Sequence, residues 1–403
     1  MQWGLSSIRQ GENSGTITHE LGHFAFKIGD NNNNPYVQPY RRVGSGPWDM
    51  MDRGSFNGPG GPHMRWVIPA AMGASMPAGL MLRNRMKNGF VPENQVLTLS
   101  REELATTGPM VARITARAVE PLPGTFAGIV IRLDGDDPHD KTPVDDPSVN
   151  PLSPGIPNFD FYSIEVVQRI GYDSFCPDNG VLIAKNKDKE SRNGGPNGFN
   201  CFNWVIDAHP EDIKMVDYYK PDGKPVMRTI ADYRQLNDAL FHAGLNSGSL
   251  YEWEDTPNRL HFYIIDLQKN NEGILEYEVG VISPDYKVVD DSKINIAPPP
   301  VRKITSLSGN LNFIINRIEG EKTSGLDNIY RVSVGVEGEG WKGRLLNSLL
   351  SFKRDSRREI EVFIYRSDIS SRFATVSLTL QNESDTSKVV TSSFRIKRGR
   401  RTK

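Results

Sequence analysis

Two periods of apolar and polar positions divide this 403-residue chain. Near its start Ile17, Leu21, Phe24 and Ile28 recur at i, i+4, i+7 and i+11, the stripe of a helix that turns about 100° per residue and buries one side. Ser14 or Thr16 can cap that helix, and Gly29 suits its stop. A loop from residue 65 then leads to a helical run centred on Leu80 and Leu82, closed by Asn88, Gly89 and Phe90. Beyond about residue 95 the period shortens. Residues 96–99, 111–116 and 128–133 are short runs enriched in β-branched residues and separated by turn formers, the signature of strands. Residues 233–242 read as a short helix, and 260–267 with 275–281 as a half-buried strand pair joined by Asn270, Asn271, Glu272 and Gly273. After the stiff linker Ala297, Pro298, Pro299, Pro300, strand-like runs at 311–315, 330–334, 359–365 and 374–380 predict a separate β-sandwich. Arg395, Lys397, Arg398, Arg400, Arg401 and Lys403 read as a frayed, solvated basic end.

Opposite the apolar stripe of the first helix the sequence carries chemistry. His19 and His23, four apart, project from one side of a helix one turn from each other, so two imidazoles can reach one ion. Glu20 completes an H-E-x-x-H pattern, in which the metal lowers the pKa of its water and the glutamate takes the proton as water attacks an amide carbonyl. With only seven histidines in the chain, a chance match has a probability on the order of 1%. A catalytic zinc needs a third protein ligand and an open position. Asp30 is the nearest candidate, just past Gly29 and ahead of Asn31 to Asn34 and Pro35, a run that can turn the chain back toward the metal. Asp49, Asp52 and His63 compete for the role; the simpler readings of these three are turn or surface carboxylates and a loop histidine.

Here the sequence resembles the immune inhibitor A family of secreted bacterial zinc metallopeptidases. That family has an H-E-x-x-H helix, an acidic residue soon after it and a W-x-x-M-x-x-G-S-aromatic turn, which Trp48, Met51, Gly54, Ser55 and Phe56 match. The resemblance implies that Met51 lies beneath the metal as a packing residue. It continues in an E-x-x-x-R-x-G-x-D run at Glu165, Arg169, Gly171 and Asp173, and in residues 204–209. The family places the acidic residue ten positions after the first histidine. Gly29 stands there, with Asp30 one later, as a one-residue insertion in the turn would give.

Composition narrows the partners. Hydrophobic residues make up 37% and charged residues 24%, with net charge −1, an ordinary globular balance without the basic excess that points to nucleic acid. No apolar run is long enough to span a bilayer. Cys176 and Cys201 are the two cysteines, either bridged in an oxidising compartment or two buried thiols. His209, His242 and His261 lack a second ligand at metal spacing and read as structural. Asp134, Asp136, Asp137 and Asp140 cluster carboxylates that could hold Ca2+, although no glutamate closes an EF-hand loop and a solvated acidic turn is the simpler reading.

The expected fold class is α+β: a truncated zincin-type metallopeptidase part at 1–94, a β-rich region at 95–296 and a C-terminal immunoglobulin-like β-sandwich at 297–403. Zincin-type peptidases place a sheet ahead of the histidine helix, so the chain reads as the later part of a longer preproprotein, with no signal peptide in its opening residues. The expected function is a secreted zinc metalloendopeptidase with His19, His23 and Asp30 as ligands, Glu20 as general base and a polypeptide as substrate. The rival expectation is a secreted β-sandwich adhesion or binding protein carrying an inert peptidase remnant.

Overall fold

The structure is a computed structural model that describes residues 14–31, 40–58, 76–135, 139–146, 149–155, 158–190, 201–229, 233–287, 291–300, 302–318, 320, 326–353 and 357–399. The chain divides into two compact units, each assembled from separated segments. The first comprises residues 1–102, 113–242 and 268–277, and the second 103–112, 243–267 and 278–403.

The first unit is built on a five-stranded sheet in the order Val96–Ser100, Gly128–Arg132, Phe161–Val167, Gly180–Asn186, Asn203–Val205. Its first pair is parallel and the others antiparallel. The strands Phe161–Val167 and Gly180–Asn186 are buried at every position, so both faces of the sheet are covered. Val167, Leu182, Ala184 and Val205 pack there with Trp48, Met81 and Leu236. Helix α1, Ser14–Phe26, and helix α2, Leu82–Lys87, belong to this unit, while α3 is Arg101–Thr107.

In the second unit two sheets share one core. One runs Lys293–Ala297, Ser308–Ile318, Arg357–Arg366, Trp341–Leu345, and the other Lys303–Ile304, Val389–Arg398, Phe373–Asn382, Asn328–Glu337, Leu349–Phe352. Phe373–Asn382 alternates half-buried and buried positions along its whole length, as a strand with one face on the core must. Leu311, Phe313, Val362 and Ile364 from one sheet meet Val376, Leu378, Leu380 and Ile396 from the other. A further four-stranded sheet has the order Met110–Thr115, Leu275–Ile282, Leu260–Lys269, Glu252–Asp255, with Asn270 to Gly273 turning between its two long strands.

The α+β expectation is overturned. Among the described residues there are twenty strands and three α-helices, only α1 exceeds seven residues, and no zincin helical part is present. H-E-x-x-H types one helix and says nothing about the layers around it, and those layers are made by β-branched and period-two segments. The helix expected over 233–242 is a single 3-10 turn, Tyr233–Leu236, after which Phe241 bridges to Val181. The basic end is not frayed where described: Arg395, Lys397 and Arg398 lie in Val389–Arg398, paired along its length with Phe373–Asn382. Alternation of Ser393, Arg395 and Lys397 with Phe394 and Ile396 is a strand pattern that charge had masked. Cys176 and Cys201 are buried free thiols.

Candidate metal centre

Helix α1 rests on the first unit through small residues. Gly15 and Gly22 are buried and His19 half-buried, one helical face at i, i+4 and i+7. A Cβ at Gly22 would stand 2.6 Å from the Met51 sulfur, so glycine lets the helix lie directly on that buried methionine. The apolar stripe faces elsewhere: Ile17, Leu21 and Phe24 are 41%, 44% and 47% exposed, and of the four only Ile28 is buried. The helix stops at Lys27, not at a glycine. Lys27 takes φ 55° and its ammonium donates to the Phe24 carbonyl at 2.7 Å, a cation on a carbonyl the helix end leaves unpaired.

The two histidines are held as a pair. His19 Nδ1 is 2.9 Å from the Met50 carbonyl oxygen and His23 Nδ1 is 2.6 Å from that of Ile28. A carbonyl can only accept, so Nδ1 carries the proton in both rings and each neutral imidazole keeps its lone pair on Nε2. Those Nε2 atoms lie 3.1 Å apart, and Asp30 Oδ1 lies 3.0 Å from one and 3.4 Å from the other. Among the described residues this is the one cluster of three potential ligand groups that share so small a space. With both rings neutral all three atoms are acceptors, so positive charge has to sit among them: a proton on an imidazole in the metal-free site, or a metal ion. Zinc bonds of about 2.0–2.1 Å in a tetrahedron separate neighbouring ligand atoms by about 3.3 Å, and the observed separations match that figure. The donor set therefore fits zinc, and the backbone carbonyls on both Nδ1 atoms are the outer partners that fix a ligating tautomer.

In the metal-free site a proton meets the same demand for positive charge. Burial lowers the His19 pKa, but hydrogen bonds to Asp30 and the Met50 carbonyl outweigh it and leave the ring above its ordinary value. His23 is raised to about 9, chiefly by Asp30. Asp30 is pulled well below the usual carboxylate range by His19 and His23. Glu20 is exposed on α1 and adds to the field that raises His23.

Asp30 sits in extended chain, and its neighbours anchor it. Asn31 is fully buried: its amide N–H donates to the Met51 carbonyl at 2.8 Å, its Nδ2 to Ser45 Oγ and the Asn203 carbonyl, and its Oδ1 accepts from the N–H groups of Phe202 and Asn203. On the other side Gly29 N–H donates to Glu190 Oε2 at 2.7 Å. The rival ligands stand apart from the histidines. Asp52 is buried, accepting from the N–H groups of Ser45, Gly46 and Arg53, and burial, despite the Arg53 charge, raises it to about 6. Asp49 is buried and accepts from Met51 N–H and Asn203 Nδ2. Both belong to turns, as expected, but not to the surface. His63, Asp136 and Asp137 lie outside the described residues. Asp140 pairs with Lys185, and Asp134 lies 3.9 Å from Arg132. His209 pairs with Glu211, His242 with Asp178 and His261 with Glu252.

The Glu165 and Asp173 of the E-x-x-x-R-x-G-x-D run hold a buried ionic network that sequence reasoning did not find. Arg117 donates to both Asp173 oxygens at 2.8 Å and to the Trp48 carbonyl, and Arg85 donates to Glu165 at 2.7 Å. Arg85 and Arg117 of this network line a cleft of about 560 Å3 together with Thr18 of α1, Met50, Leu80, Phe90 and Tyr172. Arg117 lies far from its partners in sequence and carries no motif, which is why only the fold reveals it.

Comparison with known proteins points the same way. Residues 322–398 match the family of the Peptidase M6-like domain, and residues 87–283 match a family described as a middle domain. The chain is also 38% identical over 415 aligned positions to a protein of Arthroderma benhamiae named "Putative secreted metallopeptidase", an alignment that takes in 98% of this chain and 58% of the relative. The chain thus spans little more than half of that relative's length. Among solved structures, α2-macroglobulin from Escherichia coli aligns with 28% of this chain and 17% of its own at 7% identity and TM-score 0.22. The FixG-related protein from Vibrio parahaemolyticus aligns with 27% of this chain and 98% of its own at 10% identity and TM-score 0.20. At the coarse level the chain is similar to a metallopeptidase named as secreted, and among the described residues no helix is long and apolar enough to cross a membrane.

Proposed function

We propose that this chain carries the metal-binding core of a secreted zinc-dependent endopeptidase of the immune inhibitor A kind. The observation that carries the reading is the convergence of His19 Nε2, His23 Nε2 and Asp30 Oδ1 within 3.0–3.4 Å of one another. His19, His23 and Asp30 would hold the ion. Zinc, when bound, supplies Lewis acidity and lowers the pKa of water at the site. The Met50 and Ile28 carbonyls keep both rings in the ligating tautomer. Glu20 accepts the proton of the attacking water and delivers it to the leaving amine, and a carboxylate on the water-accessible side of α1 can do both. The cleft beside Thr18 and Met50 would receive a substrate side chain next to the scissile bond. Glu20→Gln is the direct test: the amide can still hydrogen-bond water but cannot take its proton. In the full-length protein, zinc content should be unchanged while hydrolysis of a casein-type substrate falls by about 10²–10⁴-fold, the usual worth of a general base. Retained hydrolysis would remove Glu20 from the role, and retained zinc with no hydrolysis in the wild type would leave the inert-remnant reading.

A further inference from the structure

Asp30 has no regular secondary structure to hold it, and its side chain is 52% exposed, yet its Oδ1 meets two imidazole nitrogens. Something must fix the backbone on each side. Asn31 does so on one side, from within the core. On the other side the anchor is a carboxylate 161 residues away in sequence. Glu190 Oε2 accepts the Gly29 N–H at 2.7 Å, and Glu190 Oε1 receives Arg83 Nη1 at 3.0 Å and Lys87 Nζ at 2.6 Å, both from α2. Arg83 is itself immobilised: it is buried, donates to the Lys187 and Asp188 carbonyls, and lies 4.5 Å over the Phe202 ring. A Cβ at Gly29 would come 3.0 Å from Glu190 Oε2, tighter than side chains normally accept, so glycine here permits the close approach.

We propose that Glu190 is a positioning residue for the metal centre, a clamp that transmits the rigidity of α2 to the Gly29 amide and so fixes where the Asp30 carboxylate meets His19 and His23. This rests on the reading of Asp30 as the third ligand. With the clamp in place, the loop's conformational freedom is removed before the ion arrives; without it, Asp30 spends only part of its time in the ligating position, and affinity falls by the unoccupied fraction. Outer partners of metal ligands are commonly worth about 10–100-fold in affinity, and the clamp should fall in that range.

The test measures Zn2+ affinity of the whole chain by chelator competition, with visible absorption of the Co2+-substituted protein as a second readout and thermal unfolding as the fold control. Glu190→Ala should weaken zinc about 10–100-fold and shift the Co2+ spectrum toward the one seen with Asp30→Ala. Glu190→Asp keeps the charge but withdraws it by one methylene, so it should fail with Glu190→Ala. In an Asp30→Ala background, Glu190→Ala should have no further effect on affinity. Lys87→Met, at an exposed position, loosens the clamp without opening the core and should show a smaller loss, which keeps the test decisive if Glu190→Ala does not fold. If Asp30→Ala binds zinc as tightly as wild type, the third-ligand reading falls and the clamp with it. If Asp30→Ala weakens zinc while Glu190→Ala and Lys87→Met leave it unchanged, or if Glu190→Asp retains wild-type affinity, or if the two losses simply add in the double variant, the clamp is overturned and the ligand set stands.

Discussion

Each compact unit holds a cluster of histidine and carboxylate groups, and the two clusters differ in where positive charge comes from. In the second unit, His261 Nε2 lies 3.1 Å from Glu252 and its Nδ1 is bonded to Tyr263 Oη, which itself donates to Glu383. Arg331 spans both carboxylates, at 2.7 Å to Glu252 and 2.8 Å to Glu383. Burial pushes Glu252 up, but His261 and Arg331 overcome it and hold the carboxyl at about 2. The cluster carries its own cation. In the first unit no guanidinium or ammonium joins His19, His23 and Asp30 among the described contacts, so only a proton on an imidazole or a metal ion can supply the charge there. Residue type therefore does not distinguish a strut from a ligand set; the resident cation does.

The comparison can be broken most directly with zinc. His19→Ala should abolish stoichiometric metal binding, whereas His261→Ala should leave zinc content and affinity unchanged; metal analysis of both variants decides, and zinc lost from the second would erase the distinction. Next in size, Arg331→Ala should destabilise the second unit by about 1.5–3 kcal/mol, the worth of hydrogen bonds to charged groups, with zinc binding untouched. Chemical denaturation with a chelator-competition control measures both, and an unchanged midpoint would show that the cluster is idle. The smallest effect is in pH. His23 is raised above its ordinary 6.5 to about 9, so the metal-free first unit holds that contribution fully below about pH 6.5 and loses it as pH rises through about 9. Glu252 is depressed, so its contribution is present above its unfolded value near pH 4.5 and is lost as pH falls toward 2. Hydrogen exchange should thus show α1 loosening on the alkaline side and Glu252–Asp255 on the acid side. Zinc should abolish the alkaline loosening alone.

The sequence made some of this visible and hid the rest for identifiable reasons. That His19, His23 and Asp30 come together was legible because helix geometry and turn chemistry act over a dozen residues. Most strands were legible because a pleated surface with one buried face writes alternation into the chain, as in Phe373–Asn382. The seating of α1 was not. Its hydrophobic stripe promised the buried face, but Gly15 and Gly22 make that contact, and an absent side chain leaves no signal in a hydrophobic pattern. Asn31 looked like one of four turn asparagines, yet its side chain satisfies backbone groups 171 and 172 residues away. Glu190 and Arg117 were hidden by the same distance. The overall class failed because one local motif was extended to the layers around it.

The pairing of Lys303–Ile304 with Val389–Arg398 has a consequence in time. It joins Lys303 to Lys397 and Ile304 to Arg398 in parallel, across a loop of more than ninety residues. Closing a loop of that length is costly in chain entropy and yields little until the intervening strands are in place. On a ribosome the first strands of this core emerge long before their partner, because Val389–Arg398, which carries Ile396 into the core, follows every other strand of the two sheets in the chain. The unit must therefore wait, its strand edges open, for most of its own synthesis. Any delay or premature stop before residue 389 leaves Phe373–Asn382 with one long edge unpaired, the kind of surface on which chains associate before they fold.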